Sequence, residues 1–193
     1  MSRELFTSDG QRKYLTEDEI DRFLAVAALQ ERSEVRSFCL VLAHTGCRIS
    51  EALGVTAQRV DLEAGAVTLQ TLKQRGQVRF RSVPVPEATI DTLELVHAIR
   101  RAQRGRQASA PLWGWGRTQA FKHVKHVLAE AGIEGPHASP KGLRHGFGVR
   151  AIQKTRNPRL VQRWLGHRSL ETTTIYMDVL GQEERDAAQA MWS

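Results

Sequence analysis

Apolar positions recur at helical spacing along most of this chain and at spacing two over one short stretch. Ile20, Phe23, Leu24 and Ala27 mark one face of a first helix. Thr16 and Glu19 supply a capping box to start it. Val35, Phe38, Cys39 and Leu42 mark a second helix, with Ser33 as its expected cap and Gly46 as its stop. Arg48 follows at once and opens a short helix through Leu53. Between Ala66 and Val85 the period is two: Val67 and Leu69, then Val78 and Phe80, then Val83 and Val85 are expected to face a core. Lys73-Gln74-Arg75-Gly76 reads as the turn between two strands, and Arg59 to Leu62 is a candidate third. Pro84 and Pro86 close this small sheet.

Beyond it, Glu87 to Arg101 reads as one helix with Ile90, Leu93, Val96 and Ile99 inward, and Gln103 to Pro111 as an exposed loop. Thr118 to Ala131 is a further helix stopped by Gly132. Ser139-Pro140 and Asn157-Pro158 are strong helix starts, because the first residue caps and proline suits the first turn. Gly166 ends the second of these, and Ser169 is the expected cap of a helix carrying Tyr176. The fold class is α+β, mainly helical with one small antiparallel sheet. The expected division is a flexible segment over 1–13, one domain over 14–180 and a tail over 181–193 whose apolar end suits a helix docking on a neighbouring protomer.

With 193 residues, 41% of them hydrophobic, the chain is long enough for one domain with a real core. Its formal net charge of +7 points to a polyanionic partner. No apolar run approaches the roughly 20 residues of a spanning helix, and polar residues after Met1 exclude a signal-peptide pattern. Cys39 and Cys47 are too few and too isolated for a disulfide scaffold or a zinc site. These features lead to the expectation of a reduced, cytoplasmic protein with no membrane contact and a nucleic acid as partner.

Three stretches carry the candidate chemistry: Thr45-Gly46-Cys47-Arg48-Ile49-Ser50-Glu51, then Lys141-Gly142-Leu143-Arg144-His145, then Leu165-Gly166-His167 followed by Tyr176. Cleaving a phosphodiester without a metal needs fixed cations for the charge growing on phosphorus, and the planar, permanently charged guanidinium supplies them best. It needs a nucleophile, and a tyrosine oxygen stores the bond energy as a phosphodiester. It also needs an acid for the departing 5′ oxygen, a role open to a lysine whose pKa nearby cations depress. Arg48 and Arg144, Tyr176 and Lys73 fill these places, and no cofactor is needed. Four β-branched residues, Thr172 to Ile175, weaken the helix before Tyr176, which suggests a mobile segment.

These boxes resemble the catalytic domain of the tyrosine recombinase (phage integrase) family, over about Tyr14 to Leu180. The resemblance implies that Arg48 and Arg144 are the two catalytic arginines, with Glu51 orienting the first. It implies that Lys73 is the lysine of the β-turn, His167 the histidine of the Leu-Gly-His box and Tyr176 the nucleophile. His145 supports the site through a hydrogen bond. Lys141 stands where the family has histidine; an ammonium still donates to a phosphate oxygen but is no base at neutral pH, so a positional role with activity retained is expected. Members usually carry an N-terminal helical domain that closes around DNA, which leaves an excised catalytic fragment or a naturally short member as open readings. The implied assembly is a homo-tetramer on DNA, with a monomer in its absence compatible.

Arg75, Arg117, Lys122 and Lys125 are candidate contacts to the DNA backbone, the last three on a basic helix whose alternative is a solvated face. Two other functions compete with site-specific recombination: strand passage of the type IB topoisomerase kind, and a non-catalytic DNA-binding regulator. The regulator reading uses Pro158 to Leu165 and Leu170 to Tyr176 as a helix-turn-helix, but leaves the ordered arginines, histidine and tyrosine as coincidence.

Overall fold

In the computed structural model, residues 5–74, 77–177, 179 and 189–192 are described, and the side chains of residues 72–74 and 77 are not. The elements run α1 (Glu17–Ala28), α2 (Ser33–Thr45), α3 (Ile49–Ala52), a 3-10 turn (Ala57–Arg59), β1 (Val60–Asp61), β2 (Ala66–Gln74) and β3 (Gln77–Pro84). They continue with α4 (Glu87–His97), α5 (Ile99–Gln103), α6 (Arg117–Glu130), α7 (Pro140–Thr155), α8 (Pro158–Leu165) and α9 (Glu171–Thr174). The molecule is therefore mostly helical, with one three-stranded antiparallel sheet in the order β1-β2-β3.

Local chemistry sets the boundaries. The Thr16 side chain accepts from the Glu19 N–H, and the Glu19 carboxylate accepts from the Thr16 N–H, so both halves of the expected capping box form. Ser139 and Asn157 cap α7 and α8 by accepting from Gly142 and Leu160, each with proline next in sequence. Two expected caps do not form. Arg32, not Ser33, occupies the cap position of α2, and Leu170, not Ser169, that of α9. Ser169 instead pairs its hydroxyl with Thr172.

Helix α2 lies at the centre, packed against α1, α3, α4, α6 and α7. Val35, Phe38, Cys39, Val41, Leu42 and Ala43 are all buried, so its apolar positions run around much of the helix rather than along one stripe. The inner face of the sheet closes the core, with Val67 paired to Val83 and Leu69 paired to Arg81. This corrects the expected facing of β3. Val78 and Phe80 lie on the outer face, both exposed, and Arg81 points inward with Val83. Phe80 is covered there by the Arg59 guanidinium, 5.2 Å from its ring centre.

Three further expectations are corrected. Lys73 and Gln74 lie in strand β2, whose pairing with β3 shifts register between Thr71 and Gln74, rather than in a turn. The helix expected over Glu87 to Arg101 is broken at Ala98, which takes φ +47°, and α5 continues to Gln103. Gln103 is no loop residue: its amide donates to the carbonyls of Ala57 and Val60. Residues 5–13 form a turn with a bridge between Phe6 and Arg12, and Leu5 is buried beside Val149 and Tyr176. Among the described residues no helix is long and apolar enough to cross a membrane.

Candidate active site

Glu51 is the hub of the site. Its side chain is fully buried at the end of α3 and meets three arginines from three elements. One oxygen, Oε2, accepts from the Arg48 backbone N–H at 2.9 Å and from Arg81 Nη2 at 2.7 Å. The other, Oε1, accepts from Arg48 Nη1 at 3.1 Å and from Arg81 Nη1 at 3.3 Å. Arg144 Nη1 stands 4.0 Å from Oε2. Burial alone would raise the carboxyl pKa, but the Arg81 hydrogen bond and the surrounding guanidinium charges outweigh it and hold Glu51 ionised below the usual range.

The two predicted arginines reach this hub from different elements, Arg48 from the cap of α3 and Arg144 from α7. Arg48, at the cap of α3, keeps 41% of its side chain exposed, so its guanidinium faces solvent as well as Glu51. Arg144 comes from the second turn of α7 and is nearly enclosed. It donates Nη1 to the Gly46 carbonyl at 2.7 Å and Nη2 to the Leu165 carbonyl at 2.8 Å. Burial, and next the Arg48 charge, lower its pKa to about 10. It stays protonated at neutral pH and has donors left over from those two bonds.

Tyr176 follows α9 in a turn and is 1% exposed. The helix expected to carry it is only Glu171–Thr174, in line with the β-branched run before it. Its ring lies in a second apolar cluster with Leu5, Val149, Ile152, Val161 and Leu165, and against α7 at Gly148, where a Cβ would stand 2.5 Å from the ring carbon Cζ. The Tyr176 hydroxyl and His145 Nδ1 are 3.1 Å apart. Burial raises the phenol to about 12, against the opposing pull of Arg144 and Arg48. His167 stacks on the same ring at 6.1 Å and 17°, with Nδ1 2.9 Å from the Thr173 hydroxyl. Burial and then the Arg144 charge lower His167 to about 3; burial and then Lys141 lower His145 to about 4. Both imidazoles are neutral at pH 7.

The structure thus brings Arg48, Glu51, Arg144, His145, His167 and Tyr176 into one group. Lys141 is exposed in the first turn of α7, near enough to lower His145. Lys73 is in the backbone of β2, its side chain undescribed, and Arg75 lies outside the described residues. Arg117 and Lys122 are exposed on α6, whereas Lys125 donates to the Ala138 carbonyl at 2.8 Å and so ties α6 to the loop before α7. The C-terminal stretch read as a docking helix falls largely outside the described residues; residues 189–191 are helical, and Met191 and Trp192 are exposed. His137, four residues before Lys141, pairs with Glu19, which is also paired with Arg12. Among the described residues no cluster of His, Cys, Asp and Glu is built to hold a metal.

Arg81 is the residue that sequence reasoning missed. A lone arginine in an alternating strand reads as a solvent-facing charge. The available signal was parity, since Arg81 shares its face with Val83 and Val85.

Comparison with known proteins places the chain in a family. The phage integrase family model matches residues 13–183. The tyrosine recombinase XerD of Neisseria meningitidis serogroup B is 32% identical over 174 residues, spanning 86% of this chain and 58% of that protein. XerD of Vibrio vulnificus is 31% identical over 176 residues, 86% of this chain and 56% of that protein. The chain thus spans little more than half the length of these relatives. Among solved structures, XerA recombinase superposes with a TM-score of 0.74 at 23% identity, over 92% of this chain and 64% of that one. XerH bound to its difH substrate after cleavage also gives 0.74, at 24% identity over 94% and 54%. The catalytic domain of bacteriophage HP1 integrase gives 0.65 at 20%, over 91% and 93%. These structural likenesses establish the fold, and the sequence match over nearly the whole chain establishes the lineage: the protein belongs to the phage integrase family of tyrosine recombinases.

Proposed function

We propose that this chain is the catalytic part of a site-specific recombinase that cuts and rejoins double-stranded DNA through a 3′-phosphotyrosyl intermediate. The observation that carries the reading is a convergence from four parts of the chain: Arg48 and Arg144 meet at one buried carboxylate, and the stacked rings of His167 and Tyr176 lie within the field of both guanidiniums. Arg48 and the uncommitted donors of Arg144 meet the non-bridging oxygens of the scissile phosphate, where charge grows in the transition state. Tyr176 Oη forms a bond to phosphorus as the bond from phosphorus to the 5′ oxygen breaks. The phenol proton passes to solvent and the 5′ oxygen takes a proton from Lys73; the reverse step returns one to each. In the reverse step a 5′-hydroxyl from another strand attacks phosphorus and releases Tyr176. The phosphodiester is conserved, so neither metal nor nucleotide enters the balance.

Tyr176 is enclosed in the free protein, and its hydroxyl is held by His145. Attack therefore requires its segment to move toward the phosphate, and the four-residue α9 offers little resistance. The same brevity speaks against the regulator reading, because α9 is too short to serve as a recognition helix in a groove. The net charge of +7 favours DNA association, and a structural relative, XerH, is seen on its DNA substrate. Exchange between two duplexes calls for four active sites, hence a tetramer on DNA, acting in the bacterial cytoplasm where the chromosome lies.

The test is covalent trapping on nicked duplexes tiled from DNA flanking the gene, in chelator. Wild type gives a protein–DNA adduct on a denaturing gel and Tyr176→Phe gives none, while both bind duplex equally. An adduct with Tyr176→Phe would refute the assignment. Transfer of the trapped strand to a second duplex with a free 5′-hydroxyl separates a recombinase from a topoisomerase-like enzyme.

A further inference from the structure

We propose that Arg81 is a positioning residue of the cleavage site, locking Glu51, and through it Arg48, to the turn that carries His167 and to the strand that carries Lys73. The proposal rests on the recombinase reading of that site. Arg81 leaves β3 toward the core, and only 5% of its side chain is exposed. Every nitrogen of its guanidinium is used. Nε donates to the Trp164 carbonyl at 2.7 Å, Nη1 to the Thr71 hydroxyl at 3.0 Å and to Glu51 Oε1, and Nη2 to Glu51 Oε2.

Each partner belongs to a different piece of the site. Glu51 holds both the backbone and the guanidinium of Arg48. Thr71 is in β2, two positions before Lys73. Trp164 is near the end of α8, where the next carbonyl, Leu165, takes Arg144. Two guanidiniums therefore cap consecutive carbonyls at the negative end of α8, just before His167. Gly166 completes the contact. Its φ of +66° turns the chain, and a Cβ there would stand 2.8 Å from Arg81 Nη1, so the turn sits directly on the guanidinium.

A buried ion pair is a poor route to stability, since desolvation offsets its attraction and apolar residues fill the same space as well. Geometry is what this one supplies. With four of its five N–H donors committed and only 5% of its side chain exposed, Arg81 is poorly placed to meet a phosphate directly. It acts through Glu51, whose two oxygens it holds in one orientation while Arg48 bonds to both.

The test compares wild type, Arg81→Lys, Arg81→Met and Val124→Ala, a core control on α6 chosen for a similar fall in melting temperature. Adduct formation is timed on the trapping duplex and on the same duplex with a methylphosphonate at the scissile position, which removes the phosphate charge that Arg48 meets. On the ordinary duplex, Arg81→Met slows by about 10- to 100-fold, the scale seen when a support of a reacting group is removed. The methylphosphonate narrows that deficit, Arg81→Lys falls in between, and Val124→Ala keeps the wild-type rate. Wild-type speed in Arg81→Met, an equal deficit on both duplexes, or an equal loss in the control would overturn the proposal. A wild type that forms no adduct would instead refute the recombinase reading. The hold on Glu51 is then read without DNA, by the carboxyl 13C titration. Arg81→Met raises the Glu51 titration if Arg81 holds it, and an unchanged curve overturns that hold.

Discussion

Arg144 gives part of its guanidinium to the fold, through the Gly46 and Leu165 carbonyls, while Arg48 keeps a large share of its own in solvent. Replacing either by alanine should therefore have different effects on folding and similar effects on chemistry. Arg144→Ala leaves two enclosed carbonyls unpaired and Glu51 with less compensation, for a loss of about 2–4 kcal/mol in urea unfolding. Arg48→Ala removes a half-exposed ion pair and costs less than about 1 kcal/mol in the same measurement. Each removes roughly 2–4 kcal/mol of transition-state stabilisation, read as the rate of adduct formation. Wild-type cleavage by either variant would remove these arginines from the phosphate clamp. Arg48 and Arg144 were legible in the sequence because each sits in a short, locally recognisable phrase. Arg81 has no such phrase, since its partners at Glu51, Thr71 and Trp164 come together only through tertiary packing.

Helix α7 and the turn after the short α9 meet at Gly148 and Tyr176, and they are unequal partners. Helix α7 has sixteen residues, a side-chain cap and contacts to α1, α2, α6 and α8, whereas α9 has four residues, three of them threonine. Gly148→Ala adds a methyl group where only 2.5 Å separates the new carbon from the ring. The alanine gains α7 up to about 1 kcal/mol in helix propensity, and the weaker element yields, so Tyr176 moves outward. Nitration followed by mass spectrometry reads this directly, with Tyr14, the chain's other tyrosine, as internal reference. The ratio of Tyr176 to Tyr14 modification should rise in Gly148→Ala, and an unchanged ratio would mean that α7 shifts instead.

At this scale the boundaries were legible where the signalling side chain forms its cap, as at Thr16, Ser139 and Asn157, and misplaced by one residue at Ser33 and Ser169, which do not. The break at Ala98 was not legible, because alanine gives no local reason to leave the helix and the left-handed turn comes from how α4 and α5 pack. The facing of β3 was misread for a related reason. Val78 and Phe80 look like inward positions until Arg81, of opposite parity, is drawn in by Glu51.

Across the whole molecule, protonation and folding are coupled through the histidines. His44, His97, His123, His145 and His167 all have pKa values lowered in the fold, burial being the first cause for each, and the pair beside Tyr176, His145 and His167, reaches about 4 and about 3. In the unfolded chain each takes up a proton near its ordinary value of 6.5. Below that pH the unfolded state binds more protons than the native one, so stability falls as pH falls. The stabilisation is complete above about 6.5 and drains away down toward 4 and 3. The carboxylates act in the same direction but lower. Glu19, whose burial is outweighed by its bonds to Arg12, Thr16 and His137, is held at about 2 against an ordinary 4.5, and Glu51 is also lowered. The window from about pH 6.5 to 5 therefore belongs mainly to the histidines. Urea unfolding at intervals across that window should show a steady loss of stability in wild type. His145→Gln with His167→Gln should flatten the slope, whatever it does to the absolute value, because glutamine takes up no proton. An equal slope in the double variant would show that these two rings already titrate normally in the native state, and that the site around Tyr176 is wetter than its packing indicates.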